Sequence, residues 1–125
     1  MSAPKRTVMV VDDQLSIAEA VAEILEWEGF RVLIRENGKT GLEAALAENP
    51  SLILLDFMMP VMDGLHMLRE LRNTVVGAQM PVVMMSAALP HGLPGMRLAT
   101  DTLSKPFELD ALLAVVRRHV RAPHN

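Results

Sequence analysis

Leu52-Ile53-Leu54-Leu55-Asp56-Phe57-Met58-Met59-Pro60-Val61-Met62-Asp63-Gly64 is the stretch that decides the fold. Four apolar residues in succession, without alternation, are what a strand buried on both faces requires, and such strands belong to parallel sheets covered by helices on either side. Asp56 ends the run, Pro60 and Asp63-Gly64 punctuate the next segment, and Leu65, Leu68 and Leu71 then recur at helical spacing. The same unit repeats outward. Upstream, Thr40–Glu48 reads as a helix carrying Leu42, Ala45 and Leu46 and stopped by Asn49-Pro50, and Phe30–Ile34 reads as a strand. Ser16–Glu28 places Ile17, Val21, Ile24 and Leu25 on one helix face before Gly29, and Thr7–Val11 is the first strand. Downstream, Pro81–Met85 and Thr100–Leu103 read as strands, and Glu108–Val120 as a helix with Leu109, Leu112, Leu113, Val116 and Val120 inward.

Strands alternating with helices predict a parallel sheet with right-handed crossovers. Five strands in 125 residues fit an α/β, doubly wound, flavodoxin-like sheet of order 2-1-3-4-5, which binds ligands outside the carboxyl ends of its strands. One crossover is irregular. Pro90, Gly92, Pro94 and Gly95 oppose a normal helix between the fourth and fifth strands. The fourth helix is therefore expected to be shortened or replaced by a mobile loop over Leu89–Ala99, with one turn at most near Met96–Ala99.

The composition is that of one globular domain, expected to span residues 1–125 with a core from about 6 to 120 and short tails. Hydrophobic residues make up 50% and charged residues 22%, which excludes a disordered chain or a coiled coil. A net charge of −3 offers no basic surface for nucleic acid. No apolar run reaches the ~18 residues of a membrane span, and none near the start suits a secretory leader. Cysteine is absent, so disulfides and thiolate metal sites are excluded. A cytoplasmic location is the expectation.

The chemistry gathers at one sheet edge. Asp12 and Asp13 follow the first strand and Asp56 follows the third, which the 2-1-3 order makes its neighbour. A single Asp after a strand ordinarily just begins a turn. Three convergent carboxylates repel one another, and a divalent cation relieves the repulsion; hard oxygen ligands, few in number, favour magnesium. Ser86 ends the fourth strand and Lys105 the fifth. Carboxylates, a cation, a hydroxyl and an ammonium together suit phosphoryl transfer, in which a carboxylate can serve as nucleophile and form an acyl phosphate.

These residues resemble the receiver domain of two-component response regulators, the CheY-like fold. The similarity covers roughly Arg6 to Val120 and rests on Val10-Val11-Asp12-Asp13, on Leu54 through Gly64, on Ser86-Ala87 and on Lys105-Pro106-Phe107. The resemblance implies that Asp56 accepts a phosphoryl group from a phosphohistidine on a sensor histidine kinase or histidine phosphotransfer protein. It implies that Asp12, Asp13, Asp56 and the backbone carbonyl of Met58 hold Mg2+, and that Ser86 and Lys105 bind the phosphoryl group. It also implies a cis peptide before Pro106, a switch acting on a downstream effector protein rather than a turnover enzyme, and catalysis only of its own phosphorylation and dephosphorylation. Direct nucleic-acid binding and membrane insertion are not implied. Met58 and Ala88, at positions that tune phosphoryl lifetime in the family, offer no polar group to hold a hydrolytic water, so a long-lived phosphoryl state is expected.

Two features depart from the family pattern. Lys105 follows Ser86 by 19 positions, a shorter interval than is common, and Thr102 stands where an aromatic residue usually precedes the lysine. Three rivals bear comparison. A flavin protein of this fold needs phosphate-binding donors where Asp12-Asp13 stand. An aspartyl-nucleophile phosphatase carries a general-acid Asp where Met58 stands. A degenerate receiver that only docks would lack active-site side chains that are present here. His66, His91, His119 and His124 lack metal-ligand spacing and read as surface residues. Met58, Met59, Met62, Met67, Met80, Met84 and Met85 read as core filler and loop packing, and Arg117, Arg118 and Arg121 as complements to the last helix's carboxyl end.

Overall fold

Five short strands alternate with helices in the computed structural model, which describes residues 5–87 and 95–122. They are β1 (Thr7–Val11), β2 (Arg31–Arg35), β3 (Leu52–Asp56), β4 (Val82–Ser86) and β5 (Asp101–Ser104). The helices are α1 (Leu15–Trp27), α2 (Gly38–Glu48), α3 (Gly64–Arg72) and α4 (Leu109–His119). All strand pairs are parallel, in the order β2-β1-β3-β4-β5. This is the doubly wound flavodoxin-like sheet expected from the alternating pattern.

The central strands are apolar on both faces because both faces are covered. Val8, Val10, Leu52, Leu54, Val83 and Met85 meet α1 through Val21 and Leu25, and α4 through Leu112, Val115 and Val116. Met9, Val11, Ile53, Leu55, Val82 and Met84 meet α2 through Ala44 and Ala45, and α3 through Met67, Leu68 and Leu71. Successive strand residues thus enter opposite layers, as period-two geometry demands.

Several boundaries differ from the expectation. α2 begins at Gly38, two residues before Thr40, because the Asn37 side chain accepts from Thr40 N at 3.0 Å and caps the helix. β5 begins at Asp101; just before it, Thr100 meets Val82 twice, its N–H donating to Val82 O at 2.7 Å and its hydroxyl accepting from Val82 N at 2.9 Å. Leu109, expected inward, is 51% exposed because α4 starts there and its first turn overhangs the core.

Between β4 and β5 the described residues hold a single 3-10 turn, Met96–Leu98, entered through Gly95 at φ +94°. That agrees with one turn at most near Met96–Ala99, and the expected loop over Leu89–Pro94 lies outside the described residues, as does Ala88. The Arg72 guanidinium anchors this crossover. Its Nε donates to Leu98 O at 3.0 Å, and its Nη1 donates to Gly77 O and Met80 O at 2.7 Å each.

The basic cluster and one histidine do more than their sequence reading allowed. Arg117 pairs with Glu28, and Arg121 with Asn49. His119 Nε2 lies 2.8 Å from Asp101 Oδ2, so this histidine ties α4 to β5 rather than standing free at the surface. The His119 hydrogen bond holds the Asp101 carboxyl below its usual range. Arg117, Arg118 and His119 do occupy the last turn of α4, where cations meet the helix's negative end. His66 pairs loosely with Glu70, whereas His91 and His124 lie outside the described residues. No helix among the described residues is long and apolar enough to cross a membrane.

Candidate phosphoryl-transfer site

Strand register creates the site. Val11 pairs with Leu55, so the next residues, Asp12 just past β1 and Asp56 at the end of β3, sit side by side at the sheet's carboxyl edge. Ser86 pairs with Ser104, and Lys105 N donates to Ser86 O at 2.9 Å, which brings the lysine to the same edge. The Lys105-Pro106 peptide is cis. Asp12, Asp56 and Ser86 are buried and Asp13 is exposed.

Asp12, Asp13 and Asp56 each present a carboxylate oxygen within 4.8 Å of the others. Lys105 Nζ lies 2.6 Å from Asp12 Oδ2 and 3.2 Å from Asp56 Oδ1. Burial, then repulsion from Asp12, raises the Asp56 carboxyl above its ordinary range, although Lys105 pulls the other way. Burial alone would lower the Lys105 ammonium, but its hydrogen bond to Asp12 and the charges of Asp56 and Asp12 outweigh that and hold it raised. The lysine is therefore a fixed positive charge among three carboxylates.

A pocket of about 260 Å³ opens over these groups, lined by Asp13, Gln14, Asp56, Met58, Ser86, Ala87 and Lys105. The donor set is hard oxygen without imidazole or thiolate, which fits magnesium. All five sequence-predicted side chains, Asp12, Asp13, Asp56, Ser86 and Lys105, meet at this edge. Met58 lines the pocket from the loop after β3 and is 67% exposed, whereas Met67, Met80, Met84 and Met85 are fully buried core residues.

Gln14 was missed by sequence reasoning. Its N–H donates to Asp12 Oδ1 at 2.9 Å, an Asx-type turn that aims the Asp12 carboxylate; the signal was an Asp three residues before the helix. The loop after Asp56 is held by Gly64 N donating to Phe57 O at 3.0 Å and by Gly38 N donating to Met62 O at 2.9 Å.

Comparison with known proteins agrees with this arrangement. A family model described as the response regulator receiver domain matches residues 8–117. An uncharacterized transcriptional regulatory protein of Bacillus subtilis, YkoG, is 40% identical over 94% of this chain and 52% of its own length. The chain spans about half the length of the curated relatives it matches. Chemotaxis response regulator CheY4 of Vibrio cholerae superposes with a TM-score of 0.85 at 28% identity, over 92% of this chain and 98% of its own. The receiver domain of sensor histidine kinase PA1611 from Pseudomonas aeruginosa, solved with magnesium in its active-site cleft, gives 0.82 at 25% identity, over 94% and 98%.

Proposed function

The chain belongs to the response regulator receiver domain family, and from that premise we propose that it is a phosphoacceptor switch in which Asp56 takes a phosphoryl group from a phosphohistidine. The supporting observation is the convergence of Asp12, Asp13 and Asp56 against Lys105 at one pocket. An Asp56 carboxylate oxygen attacks phosphorus, the P–N bond breaks, and its electron pair returns to the donor imidazole, which takes up a proton. Asp12, Asp13, Asp56 and the Met58 carbonyl are the groups that would hold Mg2+. When bound, the metal neutralises charge on the transferring phosphoryl oxygens. Ser86 donates a hydrogen bond to the transferred group, and Lys105 swings from the carboxylates to pair with it. The donors are a sensor histidine kinase or a histidine phosphotransfer protein, the output is contact with an effector protein, and the location is cytoplasmic. Turnover is limited to the domain's own phosphorylation and dephosphorylation.

The test is incubation with acetyl phosphate, followed by measurement of acid-labile phosphate with Mg2+ and with chelator. Incorporation that needs Mg2+ is expected, whereas none with Mg2+ present would remove the reading.

Lys105 separates two effects. Its ammonium sits on the Asp12 carboxylate, one of the groups that would hold the cation, and competes with it for that charge. Lys105→Ala should therefore bind Mg2+ at least as tightly as wild type, yet phosphorylate about 10²-fold more slowly, the usual cost of removing one preorganised charge donor. Metal titration and initial rates decide it, and an unchanged rate would deny the lysine its role.

Met58 governs lifetime. It gives the pocket mouth a thioether but no group to hold an attacking water. Met58→Asn should hasten decay of the phosphorylated protein, by up to about 10²-fold where positioning help is restored. An unaltered decay after donor removal would place control elsewhere.

A further inference from the structure

Val61 is the one β-branched residue held at positive φ among the described residues, at +68°. A β-branched side chain is poorly accommodated there, where Gly and Asn are at ease. The backbone around it leaves no alternative. Met62 N donates to Pro60 O at 2.7 Å, closing a γ-turn centred on Val61, and Met62 O accepts from Gly38 N at 2.9 Å. A Cβ on residue 38 would stand 2.4 Å from Met62 O, so Gly38 is what allows this clamp.

The side chain gains nothing inside the domain in return. Val61 is 80% exposed, whereas its neighbours Met59 and Met62 pack on the core. Such strain collects where function requires it.

Position indicates the use. Val61 is three positions along the chain from Met58, which lines the pocket, and three such steps reach at most about 11 Å. A protein seated over that mouth with a standard interface covers ~800 Å² on each partner, a disc of about 16 Å radius. A phosphohistidine is a side chain on a folded surface, so when the phosphorus reaches Asp56 an interface of that size centred on the mouth is wide enough to include Val61. Met58, which lines the mouth, is 67% exposed, and Leu15, next in sequence to the lining residue Gln14, is 54% exposed, so apolar side chains are on offer around this polar centre.

We infer that Val61 is a specificity-determining contact for the phosphohistidine-bearing donor protein, presented by a strained γ-turn and idle when the donor is a small molecule. The inference rests on the phosphoacceptor reading above, and the experiment separates the two. Val61→Asn relieves the backbone and removes the apolar surface, while Val61→Ile keeps the surface. The small-molecule probe is acetyl phosphate. The protein probe is whichever autophosphorylated kinase core, from a purified panel, transfers fastest to wild type.

Acetyl phosphate rates should stay within about twofold in both variants. Transfer from the kinase core should fall about tenfold in kcat/KM for Val61→Asn, as for loss of an apolar hot spot, and persist in Val61→Ile. Val61→Asn should also melt about 2–5 °C higher without any partner. Undiminished kinase transfer to Val61→Asn overturns the inference and gives that face to an effector or a second copy. Failure of acetyl phosphate on wild type would instead remove the underlying reading.

Discussion

Asp56→Asn is expected to cut acyl phosphate formation to background while the protein melts no lower than wild type. The two halves of this result have separate causes. The amide keeps the shape of the side chain at the end of β3 but has no anionic oxygen to attack phosphorus, so the effect on chemistry is total rather than graded. The effect on stability comes from the charges. Burial and Asp12 hold the Asp56 carboxyl above its ordinary range, so its ionised form disfavours folding at neutral pH. Asn removes that penalty, and Lys105 keeps its 2.6 Å contact with Asp12. Intact mass after acetyl phosphate treatment measures the first half, and a thermal melt at pH 7 the second. Wild-type incorporation in Asp56→Asn would move the nucleophile to another residue.

Gly64→Ala is the second large effect, and it arises from space rather than from backbone freedom. A Cβ at Gly64 would lie 2.2 Å from Asp56 O and 3.1 Å from Met84 Sδ. Neither neighbour can retreat easily: Asp56 is the last residue of β3, paired across to Met85, and Met84 is fully buried. α3 starts here under the Asp63 cap, whose Oδ1 accepts from His66 N at 2.8 Å, so the helix cannot slide away without losing it. Overpacking of this kind costs about 1–3 kcal/mol. At roughly 3–5 °C per kcal/mol for a chain this size, the melting temperature should fall by about 3–15 °C. Displacement of the β3 end also moves the Asp56 carboxylate, and a shift near 1 Å can cost about 10²-fold in rate. Melting and acetyl phosphate kinetics on Gly64→Ala check both; a variant that melts and reacts like wild type would mean that Asp56 is not positioned through this contact.

The parts of the fold that could be read in advance are those governed by local pattern. Leu52–Leu55, apolar at every position, could only be a strand covered twice. Because Asp12 and Asp56 lie at the ends of neighbouring strands, strand order alone brought the acidic group together. The start of α3 was also legible, since Asp63-Gly64 punctuates the chain just before Leu65, Leu68 and Leu71 recur at helical spacing.

What escaped is what depends on contacts distant in sequence or on one side chain's hydrogen bond. Apolar spacing starts the second helix at Thr40, yet the Asn37 side chain caps it and the helix begins at Gly38. The Thr100 hydroxyl takes the Val82 N–H, and β5 starts one residue later, at Asp101. His119 finds Asp101 only after α4 packs on β5, and no spacing rule announces it. Lys105 resting on Asp12 is a tertiary pairing between residues far apart in the chain. Val61 is the sharpest case: β-branched propensity argues against a left-handed turn, and the Gly38–Met62 clamp overrides it.

The most direct measurement of the central claim is location of the phosphoryl group itself. The protein is treated with acetyl phosphate and Mg2+, the acyl phosphate is reduced with borohydride to the corresponding alcohol, and the modified residue is found by peptide mass mapping. The account predicts a single reduced side chain at Asp56, lost when Mg2+ is chelated. Modification at Asp12, Asp13 or a histidine, with Asp56 untouched, would contradict it.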